Sequence, residues 1–171
     1  ASSDILMSHI STNYDRTGFQ QDLNVVFPVD RLREFAAAGV IGSALAGRDR
    51  GQFTVAIIGD GDFTMGPAAL WTAVHYKIPI MIVLHNNTSF GNDEEHQISL
   101  AGRRGRPAEN AWIGQRMVGP EPDYCTIARG YGAWAEEPVR DPAKLKEAFR
   151  RAVEVVDGGG VALVDVHTSL N

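Results

Sequence analysis

Cysteine is the scarcest residue of consequence in this chain. Cys125 is the only one in 171 residues, which excludes an internal disulfide and any iron–sulfur cluster held by this chain alone. Its position between Tyr124 and Thr126 in a helical pattern predicts a packed thiol. Long hydrophobic runs are also missing: none approaches the roughly 20 apolar residues of a membrane span. Ala1 opens no signal-peptide pattern, so a cytoplasmic protein without membrane contact is expected. Positive charge is short, with 16 Lys and Arg against 21 Asp and Glu and a net charge of -5. A polyanion-binding surface is therefore not expected, and the basic stretch Arg103-Arg-Gly-Arg106 with Arg116 lacks the aromatic platform that would suggest nucleic acid. That stretch reads as a solvated or subunit-facing loop. Internal repeats and low-complexity tracts are absent. What remains is 44% hydrophobic with 18 Gly and 8 Pro, enough chain for one globular core.

Two apolar runs organise the middle of the sequence. Phe53 to Ile58 is short and β-rich, Gly66 to Tyr76 repeats apolar positions at helical intervals through Leu70, Ala73 and Val74, and Ile78 to Leu84 is strand-like again. Such a β-α-β unit lays its strands parallel, so the loops after both strands emerge at one edge. Gly59-Asp60-Gly61 ends the first run, and Asn86-Asn87 follows the second. Strand neighbours lie about 5 Å apart, or about 10 Å with one strand between. Asp60 and Asn87 are thus expected on one rim, in reach of an ion that takes oxygens at about 2.1 Å. Carboxyl ends of parallel strands are also where open α/β sheets bind ligands. Gly59 and Gly61 are expected to permit a tight turn and close approach of backbone N–H groups to phosphate oxygens.

At these residues the sequence resembles the thiamine-diphosphate enzymes, whose signature joins Gly-Asp-Gly to Asn-Asn after about two dozen residues; here positions 62 to 85 intervene. Ala56 to Met65, Lys77 to Leu84 and Asn86 to Phe90 look like the diphosphate-binding domain of the decarboxylase and carboligase group that includes acetolactate synthase and benzoylformate decarboxylase. Asp123 to Gly132 and Gly160 to Val166 look like that domain's later helix and last strand, so the resemblance covers about residues 36 to 170. It implies a doubly wound, mainly parallel α/β sheet, thiamine diphosphate and Mg²⁺. The implied metal ligands are the side chains of Asp60 and Asn87 and the backbone carbonyl of Ser89. The implied cofactor contacts are Gly59, Gly61, Asp62, Phe63, Asn87, Ser89 and Phe90. One carboxylate and one amide suit the charge balance, because a second buried carboxylate ligand would add an uncompensated charge.

Asp62 departs from the family, which more often has a small residue there. Capping by Asp62 or Thr64 of a helix beginning near Met65 is expected ahead of direct cofactor contact. In Phe90 to Gln97, Asn92 can serve as an N-cap with Glu95 completing a capping box. The resemblance also implies an acid/base or substrate-contacting residue in this stretch, with Asp93 and His96 as catalytic candidates three residues apart on one helix face. His75 and His85 read as packing residues, and His9 and His167 have no readable partner.

Residues 1–31 form an N-terminal segment of unassigned structure, and residues 32–171 the cofactor domain. A helix is expected over Leu32 to Ala46. The Gly-rich segment that bends the cofactor in the family would fall at Val29 to Glu34, which has no glycine; Leu32 is the candidate wedge. Residues 101–122 are a Pro- and Gly-bearing excursion of the kind that serves function or an interface. Asp141 is expected to cap a helix running to about Val156, with Pro142 in its first turn. The family's pyrimidine-binding domain, which supplies the carboxylate that activates the cofactor, has no counterpart here. The resemblance thus implies the diphosphate-binding half of a 2-oxo acid decarboxylase or carboligase, inactive alone, in a homo- or hetero-oligomer with a pyrimidine-binding partner. A subunit of a 2-oxoacid oxidoreductase and a non-catalytic interaction domain retaining the fold are the alternatives.

Overall fold

A computed structural model of the chain describes the backbone of residues 23–26 and the whole of residues 36–169. Leu32 and the Val29–Glu34 stretch lie outside the described residues, as do His9 and the first residues of the expected helix. Five strands form one parallel sheet in the order β1-β2-β3-β5-β4: β1 Leu23–Val26, β2 Phe53–Gly59, β3 Ile80–Asn86, β4 Trp134–Ala135 and β5 Val161–His167. The helices are α1 Ala36–Arg48, α2 Asp60–Thr64, α3 Ala69–His75, α4 Gly91–Arg103, α5 Tyr124–Gly130 and α6 Leu145–Asp157. The expected doubly wound α/β architecture is what the chain adopts. Strand β1 falls inside the stretch whose structure the sequence left unassigned, and pairs with Phe53 to Ala56 of β2.

Strands β2, β3 and β5 are largely apolar because both faces of the sheet are covered there. Along β3, Ile80, Ile82 and Leu84 enter one core cluster with Val40 and Ile41 of α1, Leu70 and Ala73 of α3, and Tyr124 and Cys125 of α5. Met81 and Val83 enter the other, against Leu145, Phe149, Ala152 and Val156 of α6. The packed thiol expected for Cys125 is found, and burial pushes it up to about 12. Helix α6 begins as expected: Asp141 accepts from the Ala143 N–H at 3.0 Å, and Pro142 opens a 3₁₀ turn over Pro142–Lys144 that runs into it. No described helix is long and apolar enough to cross a membrane.

Two capping expectations are corrected. The helical turn after β2 starts at Asp60 itself, so Asp62 lies inside α2, and neither Asp62 nor Thr64 caps a helix; α3 starts later, at Ala69, without a side-chain cap. Thr64 instead donates its hydroxyl back to the Asp60 carbonyl at 2.8 Å. Helix α4 likewise starts one residue before Asn92, with Phe90 in the capping position and no side-chain cap, so the Asn92–Glu95 capping box does not form.

Candidate functional site

Strands β2 and β3 are direct neighbours, and Gly59 is in register with His85. Both motif turns therefore leave the sheet side by side, at its carboxyl edge. Asp60 and Asn87 line one cleft of about 400 Å³ together with Gly59, Gly61, Asp62, His85, Ser89, Phe90, Gly91 and Asn92. No Lys or Arg is among these lining residues. The cleft carries two carboxylates and no fixed cation.

Asp60 is 2% exposed. Its Oδ1 accepts from the Gly61 N–H at 3.0 Å, while Oδ2 is buried with no hydrogen-bond partner. Burial raises the carboxyl to about 6, against the opposing pull of backbone N–H groups of Gly61, Thr88 and Ser89. A carboxylate oxygen kept from water without a proton donor is costly. A divalent cation would remove that cost, so the donor set fits the expected Mg²⁺: one carboxylate, a carboxamide and a carbonyl from adjoining turns. Among the described residues no three His, Cys, Asp or Glu side chains cluster as a metal site.

The glycines act differently from the expectation. Gly59 is extended at φ -69, and neither Gly59 nor Gly61 has a positive φ, so freedom of turn is not what selects them. A Cβ on Gly61 would stand 2.6 Å from Cδ1 of the Phe90 ring; Gly61 is needed to let that ring lie across the turn. The Gly61 N–H is also occupied by Asp60. The donors open to an anion are instead at the first turn of α4, where Gly91 and Asn92 line the cleft.

The second turn is shaped by its own amides. Asn86 Oδ1 accepts from Thr88 N at 3.0 Å and Asn87 Oδ1 from Ser89 N at 3.1 Å, with Thr88 held at φ 56 between them. Asn86 is buried and gives its Nδ2 to Asp165 Oδ1 at 3.0 Å. Burial raises Asp165 to about 6, and Asp165 also lies 3.7 Å from His167 Nε2. His167 meets Arg140 through Nδ1 at 2.9 Å and the Asn86 amide nitrogen through Nε2 at 3.2 Å, so both ring nitrogens face donor groups. The partner that the sequence did not reveal for His167 is thus a polar string running to Asn86.

Other expected site residues are placed less centrally. Phe63 is wholly buried, edge-on to Tyr124 at 5.8 Å, because α2 turns it into the core and away from the cleft. Asp93 and His96 do not line the cleft; His96 is exposed. Asp62 does line it, with Oδ2 only 3.7 Å from where a Cβ on Gly59 would stand, so its carboxylate folds back over Gly59.

Three site residues escaped the sequence. His85 was read as a packing residue, yet it lines the cleft, and burial lowers its pKa so that it is neutral near pH 7. Strand β3 is buried on both faces, so no alternation marked His85 as different. Arg116 is exposed like the rest of the basic loop, yet its guanidinium grips buried Glu94, at 2.6 Å from Nη2 to Oε1 and 3.1 Å from Nε to both oxygens. Ser89 Oγ donates to the same carboxylate at 3.1 Å. No local pattern links positions 94 and 116. His75, also read as a packing residue, is exposed and stacks on exposed Trp71 at 4.6 Å.

Residues 32–166 match the family described as Thiamine pyrophosphate enzyme, C-terminal TPP binding domain. The probable acetolactate synthase large subunit of Methanocaldococcus jannaschii is 29% identical over 103 residues, 58% of this chain and 15% of that protein. The benzoylformate decarboxylase of Pseudomonas aeruginosa is 28% identical over 135 residues, 75% of this chain and 22% of that protein. Among solved structures, the thiamine diphosphate-dependent 4-hydroxybenzoylformate decarboxylase of Rhodococcus jostii superposes with a TM-score of 0.66 at 28% identity, over 81% of this chain and 23% of its own. The chain thus spans less than a quarter of the length of each of these relatives. It belongs to the thiamine pyrophosphate enzyme family, as a C-terminal cofactor-binding domain.

Proposed function

We propose that this thiamine pyrophosphate enzyme domain holds Mg²⁺ with the Asp60 carboxylate, the Asn87 carboxamide and the Ser89 carbonyl, and through it the diphosphate of the cofactor. The domain would be the diphosphate-binding half of a cytoplasmic 2-oxo acid decarboxylase or carboligase. A pyrimidine-binding domain, from another subunit or chain in a homo- or hetero-oligomer, would complete the active site; the isolated domain would be inactive. The observation that carries this reading is Asp60 Oδ2, buried at the rim of the cleft with no proton donor.

When bound, thiamine diphosphate supplies an electron sink for breaking or forming the bond beside a 2-oxo group. Asp60 and Asn87 orient the cofactor by holding the cation, and one carboxylate ligand keeps the local charge near balance. Gly91 and Asn92 offer N–H groups at the start of α4 to diphosphate oxygens. Phe90, lying over Gly61, walls water out of one side of the cleft. His85 is neutral and reaches the cleft, so its imidazole can accept a proton from a group bound there. Asp93 and His96 lie farther along α4, where they would face the completing domain and move protons on the substrate side.

Calorimetric titration with thiamine diphosphate tests the assignment, with and without Mg²⁺ and with a pyrimidine-binding domain supplied. Binding is expected only with Mg²⁺, and its loss is expected in Asp60→Ala with circular dichroism unchanged. Wild-type affinity in Asp60→Ala overturns the assignment.

A further inference from the structure

The Glu94–Arg116 pair lies outside the set of cation ligands, yet its side-chain hydrogen bonds lead to one of them, Ser89. Glu94 is 6% exposed. It receives the Ser89 hydroxyl from the second motif turn and the fork of Arg116 from the excursion, and these donors hold its carboxyl below the usual range, Arg116 contributing most. The excursion is tied to the same turn through the backbone. Phe90 N donates to the Gln115 carbonyl at 2.9 Å and Met117 N to the Thr88 carbonyl at 2.8 Å, so Ser89 and Arg116 face each other as an antiparallel bridge. One residue farther, Met117 Sδ lies 3.7 Å from Thr64 Oγ1 and 3.6 Å from the Tyr124 hydroxyl. Those two hydroxyls meet at 2.8 Å and lie 2.8 and 3.3 Å from the Asp60 carbonyl. Residues 115–117 therefore brace both motif turns at once.

Resting on the cofactor reading above, we propose that Glu94 and Arg116 are positioning residues that fix the Ser89 carbonyl toward the cation, and so set the site's affinity and its preference for a small ion. Ser89 is held on three sides: its N–H by Asn87, its hydroxyl by Glu94, and the peptides flanking it by residues 115 and 117. Its carbonyl is left with little freedom to retreat. Mg²⁺ demands near-ideal geometry at about 2.0–2.1 Å, whereas Ca²⁺ accepts about 2.3–2.6 Å and irregular arrangements. A rigid carbonyl arm therefore favours Mg²⁺, and a slack one narrows the difference.

The test uses the full chain with its pyrimidine-binding domain and saturating thiamine diphosphate, titrating Mg²⁺ and separately Ca²⁺ by calorimetry. Variants are Ser89→Ala, which keeps the carbonyl and removes the hydroxyl, Glu94→Gln and Arg116→Lys. Arg116→Ala is avoided because it would strand a buried carboxylate. Loss of such outer partners typically weakens metal binding about 10- to 100-fold. Mg²⁺ affinity is expected to fall about tenfold in each variant, Ca²⁺ affinity less, so that the ratio between the ions shrinks. Urea midpoints are measured alongside. Wild-type Mg²⁺ affinity and ion ratio in the variants, with only the midpoints lowered, would make the pair a fold support and overturn the inference. No Mg²⁺-dependent cofactor uptake by the wild-type assembly would remove the cofactor reading and this inference together.

Discussion

Replacing Asp60 by Asn should alter how the metal-free protein responds to pH. In the folded chain the carboxyl is raised from 3.8 to about 6, because burial outweighs its backbone donors. A raised carboxyl binds a proton in the folded state where the unfolded state has already lost it. Stability from this group is therefore greatest below about pH 4 and declines as pH rises toward 6, by about 1.4 kcal/mol per pH unit. The full decline across that window is about 3 kcal/mol. Asp165 is raised to about 6 by the same cause and adds a similar fall. Glu147, pulled down to about 2 chiefly by its hydrogen bond from Arg150, acts in the opposite sense and loses its contribution only as pH drops below the unfolded value. Urea denaturation of the metal-free chain at half-unit steps from pH 4 to 8 isolates Asp60. Asp60→Asn should flatten the curve by one group's share, about 1.4 kcal/mol per unit between pH 4 and 6. Saturating Mg²⁺ and thiamine diphosphate should flatten the wild-type curve in the same window and leave the variant unchanged. Parallel curves for wild type and variant in that window would refute the reasoning, since an orphaned carboxylate must titrate differently from its amide.

Two further substitutions probe the turns themselves. Gly61→Ala drives a methyl to 2.6 Å from the Phe90 ring and should cost about 1–3 kcal/mol by thermal or urea unfolding; adding Phe90→Ala should recover part of that loss, and a Gly61→Ala chain as stable as wild type would contradict the packing. Tyr124→Phe removes a hydroxyl shared with Thr64 at 2.8 Å and the Asp60 carbonyl at 3.3 Å, which should lower stability by about 1 kcal/mol. An unchanged urea midpoint would show that this hydroxyl does not hold the first turn.

Much of the architecture was legible because β2 and β3 carry apolar runs, β5 looks like the family's last strand and the Asp141-Pro142 start of α6 is a local signal. The shared rim followed from parallel strands alone. Strands β1 and β4 were not legible: one is four residues and the other two, too short for periodicity to register. The capping errors had a common source, since side-chain caps were assumed where backbone donors and a helical Asp60 already started the turns. Histidine 85 hid in a strand buried on both sides. Glu94 and Arg116 could not be paired from sequence, because their contact depends on where the excursion over residues 101–122 returns to the sheet edge.

That return has a consequence for how the chain tolerates change. The excursion's grip is concentrated in residues 115–117, while Gly105 to Asn110, apart from half-buried Ala108, is solvent-facing. Lengthening, nicking or even re-joining the polypeptide there would leave the mouth of the cleft in shape, whereas a one-residue deletion between Gln115 and Met117 would shift the ladder out of register. The hinge for diversification and the strut for chemistry sit a few residues apart on one connection.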